Sequence, residues 1–280
     1  MIRRPPGAGP IRLIGSDLDG TLLAHDEVIS LGNLAALARA QAAGVPVVFA
    51  TGRPPRWMGE VARQTRHTGL AVCANGALLY DLGTEQVVGA NLISVPTLRE
   101  VADALLSEFG EVRFALEHHA GFDHEDGYRH DYDIGPTAVS IRTRDDVLST
   151  PAIKLLVRHH GLSSDEFLTR AQSLLGDSVT VTSSSSAGLL EIAAPGVSKA
   201  TGLATVAEQL GIAAHEIAAV GDMPNDLPML AWAGQSFAVA NAHPAVLAAA
   251  DATVASNIDD GFAQVVDSVL AYNAALAATS

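Results

Sequence analysis

The sequence predicts an α/β protein, a doubly wound parallel sheet into which a second, α+β segment is inserted. Three observations predict it. Short apolar runs without alternation end in polar or glycine-bearing turns, helical patterns separate those runs, and from about Thr84 to Leu190 the runs shorten and begin to alternate. Unalternating runs between helices describe strands buried on both faces of a parallel sheet.

The first strand is expected over 12–17 (RLIGSD). An Ala/Leu-rich helix over 31–43 stops at Gly44 and leads into the second strand over 45–51 (VPVVFAT); a glycine there can close the helix in the left-handed conformation. A helix over 199–210, stopped by Gly211, precedes the strand 217–222 (IAAVGD), and the runs 236–240 and 252–255 continue the pattern. Inside the insertion, strands are expected over 112–117, 152–157 and 179–182, with helices over 96–109 and 164–175. The Ser183–Ser186 run with Ala187-Gly188 reads as a turn between 179–182 and 189–193. No repeat of fixed period is visible. The expected organisation is a flexible tail over 1–10, a core domain from 11–83 and 191–280, and an inserted domain over 84–190 whose linkers, near Asp81-Leu82-Gly83 and 190–196, act as hinges.

With 280 residues, 48% of them hydrophobic, the chain has enough apolar material for a sizeable core, which excludes wholesale disorder. Seventeen Lys and Arg face 31 Asp and Glu, a net charge of -14. That charge repels phosphate backbones and anionic lipid, so neither nucleic acid nor membrane is expected as a partner. No run reaches the length of a spanning helix, and Arg3-Arg4 is followed by prolines and glycines, not by the apolar stretch of a signal peptide. The single cysteine, Cys73, builds no disulfide framework and reads as a small buried hydrophobe. A cytoplasmic location is expected.

The strongest chemical signal is Asp17-Leu18-Asp19-Gly20-Thr21, at the end of the first strand. Two carboxylates two residues apart on extended chain point to one side. They repel unless a divalent cation sits between them, and Gly20 lets the backbone turn beneath. An ionised Asp is also a nucleophile that needs no base to activate it. The same residues suit an Asx-type turn, and taken alone they leave both readings open. Gly221-Asp222-Met223-Pro224-Asn225-Asp226 brings a second acidic and amide cluster to the end of another strand, where open α/β sheets bind ligands. Hard oxygen donors of this kind suit magnesium, although Asn225 or Asp226 can equally cap the helix that begins near Leu227-Pro228. Thr51-Gly52-Arg53 offers a hydroxyl and backbone N–H groups to an anion. Lys199 can add positive charge, although a lone lysine is usually solvated surface. His118, His119, His124 and His130 fall in the insertion at spacings that match no compact metal site.

These pieces, in this order, resemble the haloacid dehalogenase superfamily, and in particular its Cof-type phosphatase branch with a large α+β cap. Asp17 to Leu22 resembles the first motif, Thr51-Gly52-Arg53 the second, Val197-Ser198-Lys199 the third, and Gly221-Asp222 through Asn225-Asp226 to Met229-Leu230 the fourth. Asn75-Gly76-Ala77 is similar to the segment just before the cap, and the stretch from Asp251 to Gly261 to the usual C-terminal one. The chain departs at Ala240-Asn241, where relatives often carry Met-Gly before the Asn.

The resemblance implies a Rossmann-like core with an inserted cap, and a magnesium-dependent hydrolase that removes phosphate from a small phosphorylated metabolite through an aspartyl-phosphate. Asp17 would be the nucleophile and Asp19 the acid and base. Asp17, the Asp19 carbonyl and Asp222 would hold Mg2+, with Asp226 behind them. Thr51, Gly52, Lys199 and Asn225 would bind the phosphoryl group, and Arg53 and Asn75 would face the substrate. The alternatives are a phosphomutase or phosphosugar enzyme of the same superfamily and a catalytically silent binding module. Every expected position is filled, which speaks against the last. The sequence leaves open which metabolite is the substrate, which cap residues read it, and the oligomeric state.

Overall fold

The structure, a computed structural model, describes residue 2 and residues 8–24, 27–118, 121–129, 139–183 and 188–279. Most of the expected tail, His119 and His130, and most of the serine turn after 182 lie outside the described residues. The chain divides into two compact units, Met1–Gly89 with Ser198–Ser280, and Ala90–Val197.

In chain order the first unit opens with β1 (Leu13–Ser16), α1 (Leu31–Ala42), β2 (Val47–Ala50), α2 (Met58–Thr65), β3 (Leu70–Cys73), β4 (Leu78–Asp81) and β5 (Gln86–Ala90). The second unit comprises α3 (Val95–Phe109), β6 (Val112–His118), β7 (Gly121–Glu125), β8 (Val139–Arg142), α4 (Arg144–Val147), β9 (Lys154–His159), α5 (Ser164–Leu175), β10 (Thr180–Thr182) and β11 (Leu189–Ala193). The first unit resumes with α6 (Lys199–Gln209), β12 (Ile217–Gly221), α7 (Leu227–Trp232), β13 (Gln235–Val239), α8 (Pro244–Ala249), β14 (Ala252–Val254) and α9 (Gly261–Thr279). Ser30, Ser94, Ser163 and Ser198 cap α1, α3, α5 and α6, each hydroxyl accepting an amide N–H from the first turn that has no partner within the helix.

The first unit's strands form one sheet in the order β14-β13-β12-β1-β2-β3-β4-β5. From β14 to β3 every pairing is parallel; β3 and β4 are antiparallel. β1, β2, β12 and β13 are buried throughout, because α1 and α9 pack together on the sheet and α6 packs on β2 and β3. The chain leaves β1 toward β2 and β3 on one side and leaves β12 toward β13 and β14 on the other. The strand order therefore reverses between β1 and β12, and their carboxyl ends border a natural crevice. Cys73 closes β3, fully buried and in no disulfide. Among the described residues no helix is long and apolar enough to cross a membrane.

The second unit has its own sheet, β10-β11-β9-β6-β7-β8, mostly antiparallel. α3 and α5 pack together, α3 against β6 and α5 against β10 and β11.

The units meet in the chain later than the sequence placed them. Residues 83 and 84 sit in the turn of the β4–β5 hairpin, where Asp81 Oδ1 accepts from the N–H of Gly83 (2.8 Å) and of Thr84 (3.0 Å). The first expected hinge is thus an Asx turn inside the first sheet, and the boundary drawn at 190/191 falls within β11.

Candidate active site

Asp17 follows β1 directly, and its amide donates to the Val220 carbonyl of β12 at 3.0 Å. Its carboxylate is thereby held at the crevice between the two strands. Lys199, the first residue of α6, is 1% exposed. Its Nζ lies 2.5 Å from Asp17 Oδ1 and 2.6 Å from Asp226 Oδ1. The default reading of a lone lysine as solvated surface is therefore wrong here. Burial opposes its ammonium form, but Asp17 and Asp226 outweigh that and raise its pKa.

Asp222, at the end of β12, completes the cluster. Asp17, Asp222 and Asp226 bring carboxylate oxygens within 4.8 Å of one another, all three buried. Burial pushes the Asp17 carboxyl well above its usual range; Lys199 opposes this, and Asp226, Asp222 and Asp19 add to it. Asp222 is pushed up to about 7, first by burial and then by Asp226. Three carboxylates against one ammonium leave two negative charges, the charge that one divalent cation balances. Asn225 adds a buried Oδ1 that has no hydrogen-bond partner among the described residues. Two carboxylates, a backbone carbonyl and an amide oxygen are hard donors that fit Mg2+.

Asp226 is placed differently from the other two. Its Oδ2 accepts from the amides of Asp222 (2.9 Å) and Met223 (3.0 Å), while its Oδ1 takes Lys199. Both oxygens are already used, so this carboxylate shapes the loop and orients the lysine. Thr21 Oγ1 donates to Asp222 Oδ1 at 3.2 Å. A Cβ on Gly20, which has φ +76°, would stand 2.3 Å from Asp222 Oδ2, so the turn requires glycine for space as well as conformation.

Asp19 points away from this cluster to Arg53. Arg53 Nε lies 2.9 Å from Asp19 Oδ2, and its Nη2 lies 2.5 Å from Asp19 Oδ1 and 2.9 Å from Glu27 Oε1. Arg53, expected to face the substrate, is thus committed to two carboxylates. Thr51, fully buried at the end of β2, accepts the Arg53 amide on Oγ1 at 3.0 Å. The Ala74–Asn75 turn holds this loop, since Ala74 N donates to Arg53 O and Asn75 N to Thr51 O, each at 2.9 Å. A Cβ on Gly52 would stand 3.2 Å from Asn75 Oδ1. Asn75 Oδ1 accepts from Asn225 Nδ2 at 3.1 Å, which ties the loop after β2 to the loop after β12. Asn225 thus gives its Nδ2 to Asn75, and its buried Oδ1 is left without a hydrogen-bond partner among the described residues.

Three further residues to which the sequence assigned no role serve the site. Thr21 orients Asp222, Glu27 shares Arg53, and Asn241 Nδ2 donates to Gly20 O at 2.8 Å. Asn241 follows β13, so its place at a strand end was a usable signal; Glu27 offered none. In the second unit, His118 lies 3.5 Å from Asp123, and His124 Nδ1 donates to the Glu125 carbonyl.

Known proteins with a similar sequence span nearly the whole chain. The 5-amino-6-(5-phospho-D-ribitylamino)uracil phosphatase YcsE of Bacillus subtilis is 27% identical over 274 residues, covering 91% of this chain and 94% of its own. The YbjI phosphatase of Escherichia coli, named for the same substrate, is 26% identical over 94% of this chain and 98% of its own. Among solved structures, SMU.1108c of Streptococcus mutans superposes with a TM-score of 0.81 at 21% identity, covering 93% of this chain and 99% of its own. The phosphatase BT1666 of Bacteroides thetaiotaomicron gives 0.76 at 23%, covering 95% and 97%. These two show the same fold. A family model described as haloacid dehalogenase-like hydrolase matches residues 14–266, reaching across both units, and the chain is accordingly an enzyme of that family, on its phosphatase branch.

Proposed function

We propose that this enzyme is a magnesium-dependent phosphomonoesterase that works through a phosphorylated Asp17 on a small phosphorylated metabolite. The observation that carries this reading is Lys199 Nζ lodged between Asp17 and Asp226 and beside Asp222. A buried carboxylate with one cation against it and surplus negative charge around it is ready to receive a metal and a phosphoryl group together.

The Asp17 and Asp222 carboxylates and the Asp19 carbonyl would hold Mg2+, with Asn225 Oδ1 beside them and Asp226 behind. Bound there, Mg2+ would supply charge neutralisation for the transferring phosphoryl group. Asp17 attacks phosphorus while the bond to the leaving oxygen breaks, and Asp19 gives that oxygen its proton. Asp19 then takes a proton from the water that attacks the phosphorylated Asp17, which returns the carboxylate and releases inorganic phosphate. Arg53 keeps Asp19 oriented for both transfers. Thr51, whose Oγ1 already accepts the Arg53 amide, has its hydroxyl proton to donate to a phosphoryl oxygen, and Lys199 and the Gly52 amide neutralise charge there.

The single buried cysteine and net negative charge suit a reducing, cytoplasmic setting. The relatives' names make phosphorylated ribitylaminouracil the first compound to test, beside sugar phosphates and phosphorylated cofactors. Phosphate release from such a panel, in Mg2+ and in EDTA, tests the reading. Turnover of at least one compound in Mg2+ and none in EDTA is expected. Interconversion of sugar phosphates without phosphate release would favour a mutase instead.

A further inference from the structure

Three asparagines hold the loop after β1 from outside it. The loop first closes on itself: the amides of Thr21, Leu22 and Leu23 all donate to the Leu18 carbonyl, at 3.2, 3.0 and 2.8 Å, and Asp19 pairs with Leu23 in an isolated bridge. Asn241 Nδ2 then donates to the Gly20 carbonyl at 2.8 Å, Asn33 Nδ2 to the Leu22 carbonyl at 3.3 Å, and Asn257 Nδ2 to the Leu23 carbonyl at 2.8 Å. Asn33 and Asn257 are buried.

The oxygen ends of two of these side chains reach the stretch that leads into α9. Asn241 Oδ1 accepts from the Asn257 amide at 2.9 Å, and Asn33 Oδ1 accepts from the Ala263 amide at 3.0 Å. Ala263 lies in the first turn of α9, where an amide has no partner inside the helix. Each of the two therefore donates to the loop with one end and accepts from segment 257–263 with the other, which neither alanine nor an ionised aspartate can do. Between these two contacts, Asp260 takes the hydroxyl of Ser30, the cap of α1. Gly20 is where the loop most needs holding. Without a Cβ it is the freest joint in the chain, and its two torsions set the angle between the Asp19 carbonyl and the peptide that follows.

We propose that Asn33, Asn241 and Asn257 are positioning residues, through which segment 257–263 fixes the Gly20 turn and with it the backbone carbonyl of Asp19. The side chain of Asp222 already limits Gly20 sterically, since a Cβ there would stand 2.3 Å from Oδ2; Asn241 supplies the directional bond. Releasing Asn241 frees the turn to rotate about Gly20 and moves a carbonyl that would hold Mg2+. Thr51, Gly52 and Lys199 stand on other loops and keep their places. The metal should then be held more weakly and turnover should slow, with substrate binding little changed. This metal half of the inference rests on the phosphatase reading; the tie between the loop and segment 257–263 does not.

Asn241→Ala and Asn257→Ala in the full-length protein test the proposal. Asn241 is exposed, so Asn241→Ala keeps the test decisive if Asn257→Ala misfolds. In EDTA, hydrogen exchange at the amides of residues 21–23 should quicken roughly fivefold or more in each variant, the scale of one hydrogen bond, while the amides of β1 and β12 keep their wild-type rates. Calorimetric titration with magnesium chloride should give a Kd raised on the same scale. At saturating Mg2+, kcat should fall by roughly fivefold and KM should stay within about twofold. Unchanged exchange in Asn241→Ala overturns the tie. Faster exchange with wild-type Mg2+ affinity and wild-type kcat leaves the asparagines a purely structural part and overturns the positioning role. A wild type that neither binds Mg2+ nor releases phosphate contradicts the phosphatase reading instead, and the exchange rates alone then decide the tie.

Discussion

Arg53 grips Asp19 through two nitrogens, Nε at 2.9 Å from one carboxylate oxygen and Nη2 at 2.5 Å from the other. The guanidinium side chain is 7% exposed and the aspartate side chain 55%. A buried cation thus fixes a carboxylate that remains open to solvent, as a group that must pass protons to a leaving oxygen and take them from water needs to be. Glu27 holds the far side of the same guanidinium at 2.9 Å.

Arg53→Lys keeps the charge and loses the fork. We expect kcat for an alkyl phosphate to fall roughly tenfold, the scale of one charged hydrogen bond, and to fall less for p-nitrophenyl phosphate, whose leaving group needs little protonation. Steady-state kinetics on both substrates check this; equal losses would separate Arg53 from the proton transfer.

Lys199→Met removes the ammonium that bonds Asp17 and Asp226 within the buried cluster they form with Asp222. Breaking a buried pair in this way typically costs about 3–5 kcal/mol. Urea denaturation in EDTA at pH 8 should show a loss on that scale, and a smaller one at pH 5, where the carboxylates can take up protons instead. Turnover should be lost at both values.

Asp222 gives the pH dependence. In metal-free protein its carboxyl is pushed from 3.8 up to about 7, by burial and by Asp226, so the folded chain holds a proton that the unfolded chain has released. The stability this contributes is complete below the unfolded value and is lost as pH rises through the folded one. Relative to wild type, metal-free Asp222→Asn should therefore gain stability between about pH 4 and pH 7 and gain no more above that. Thermal melts of both proteins in EDTA across this range provide the check. In wild type, the rise in Tm caused by Mg2+ should grow over the same interval, because the metal requires the deprotonated form.

Asp17, Thr51 and Asp222 were legible because each stands where a buried, unalternating run stops, and the topology of parallel sheets brings such ends to one edge. Lys199 was legible by its place before a helix and by resemblance, while its burial was not. That burial goes with the ion pairs to Asp17 and Asp226, long-range contacts that local pattern does not contain. The Arg53–Asp19–Glu27 clamp and the Asn75–Asn225 bond were illegible for the same reason: they join loops remote in sequence, and polar side chains on loops have no period to read. The β4–β5 hairpin was missed because Gly83 and Thr84 carry the same turn chemistry whether they end a domain or a strand.

Gly76 shows how tightly the site is assembled. It has φ +103°, and a Cβ there would stand 2.1 Å from the carbonyl oxygen of Ser198, the cap of α6. Gly76→Ala must displace the start of the helix that carries Lys199. Displacement of about 1 Å can cost roughly 10²-fold in rate, so kcat should fall by about that factor. The backbone strain should also lower stability by roughly 1–3 kcal/mol. Kinetics and urea denaturation of the same preparation check the two effects together.

The central claim is that Asp17 carries the phosphoryl group. The measurement that tests it most directly is rapid-mixing kinetics of Asp19→Asn with p-nitrophenyl phosphate in Mg2+. This substrate needs little acid catalysis to lose its leaving group, whereas the phosphorylated Asp17 still needs a base for hydrolysis. The account predicts a burst of nitrophenol equal to one per enzyme chain, followed by slow turnover, and no burst in the Asp17→Asn, Asp19→Asn double variant. A burst that survives in the double variant would contradict it.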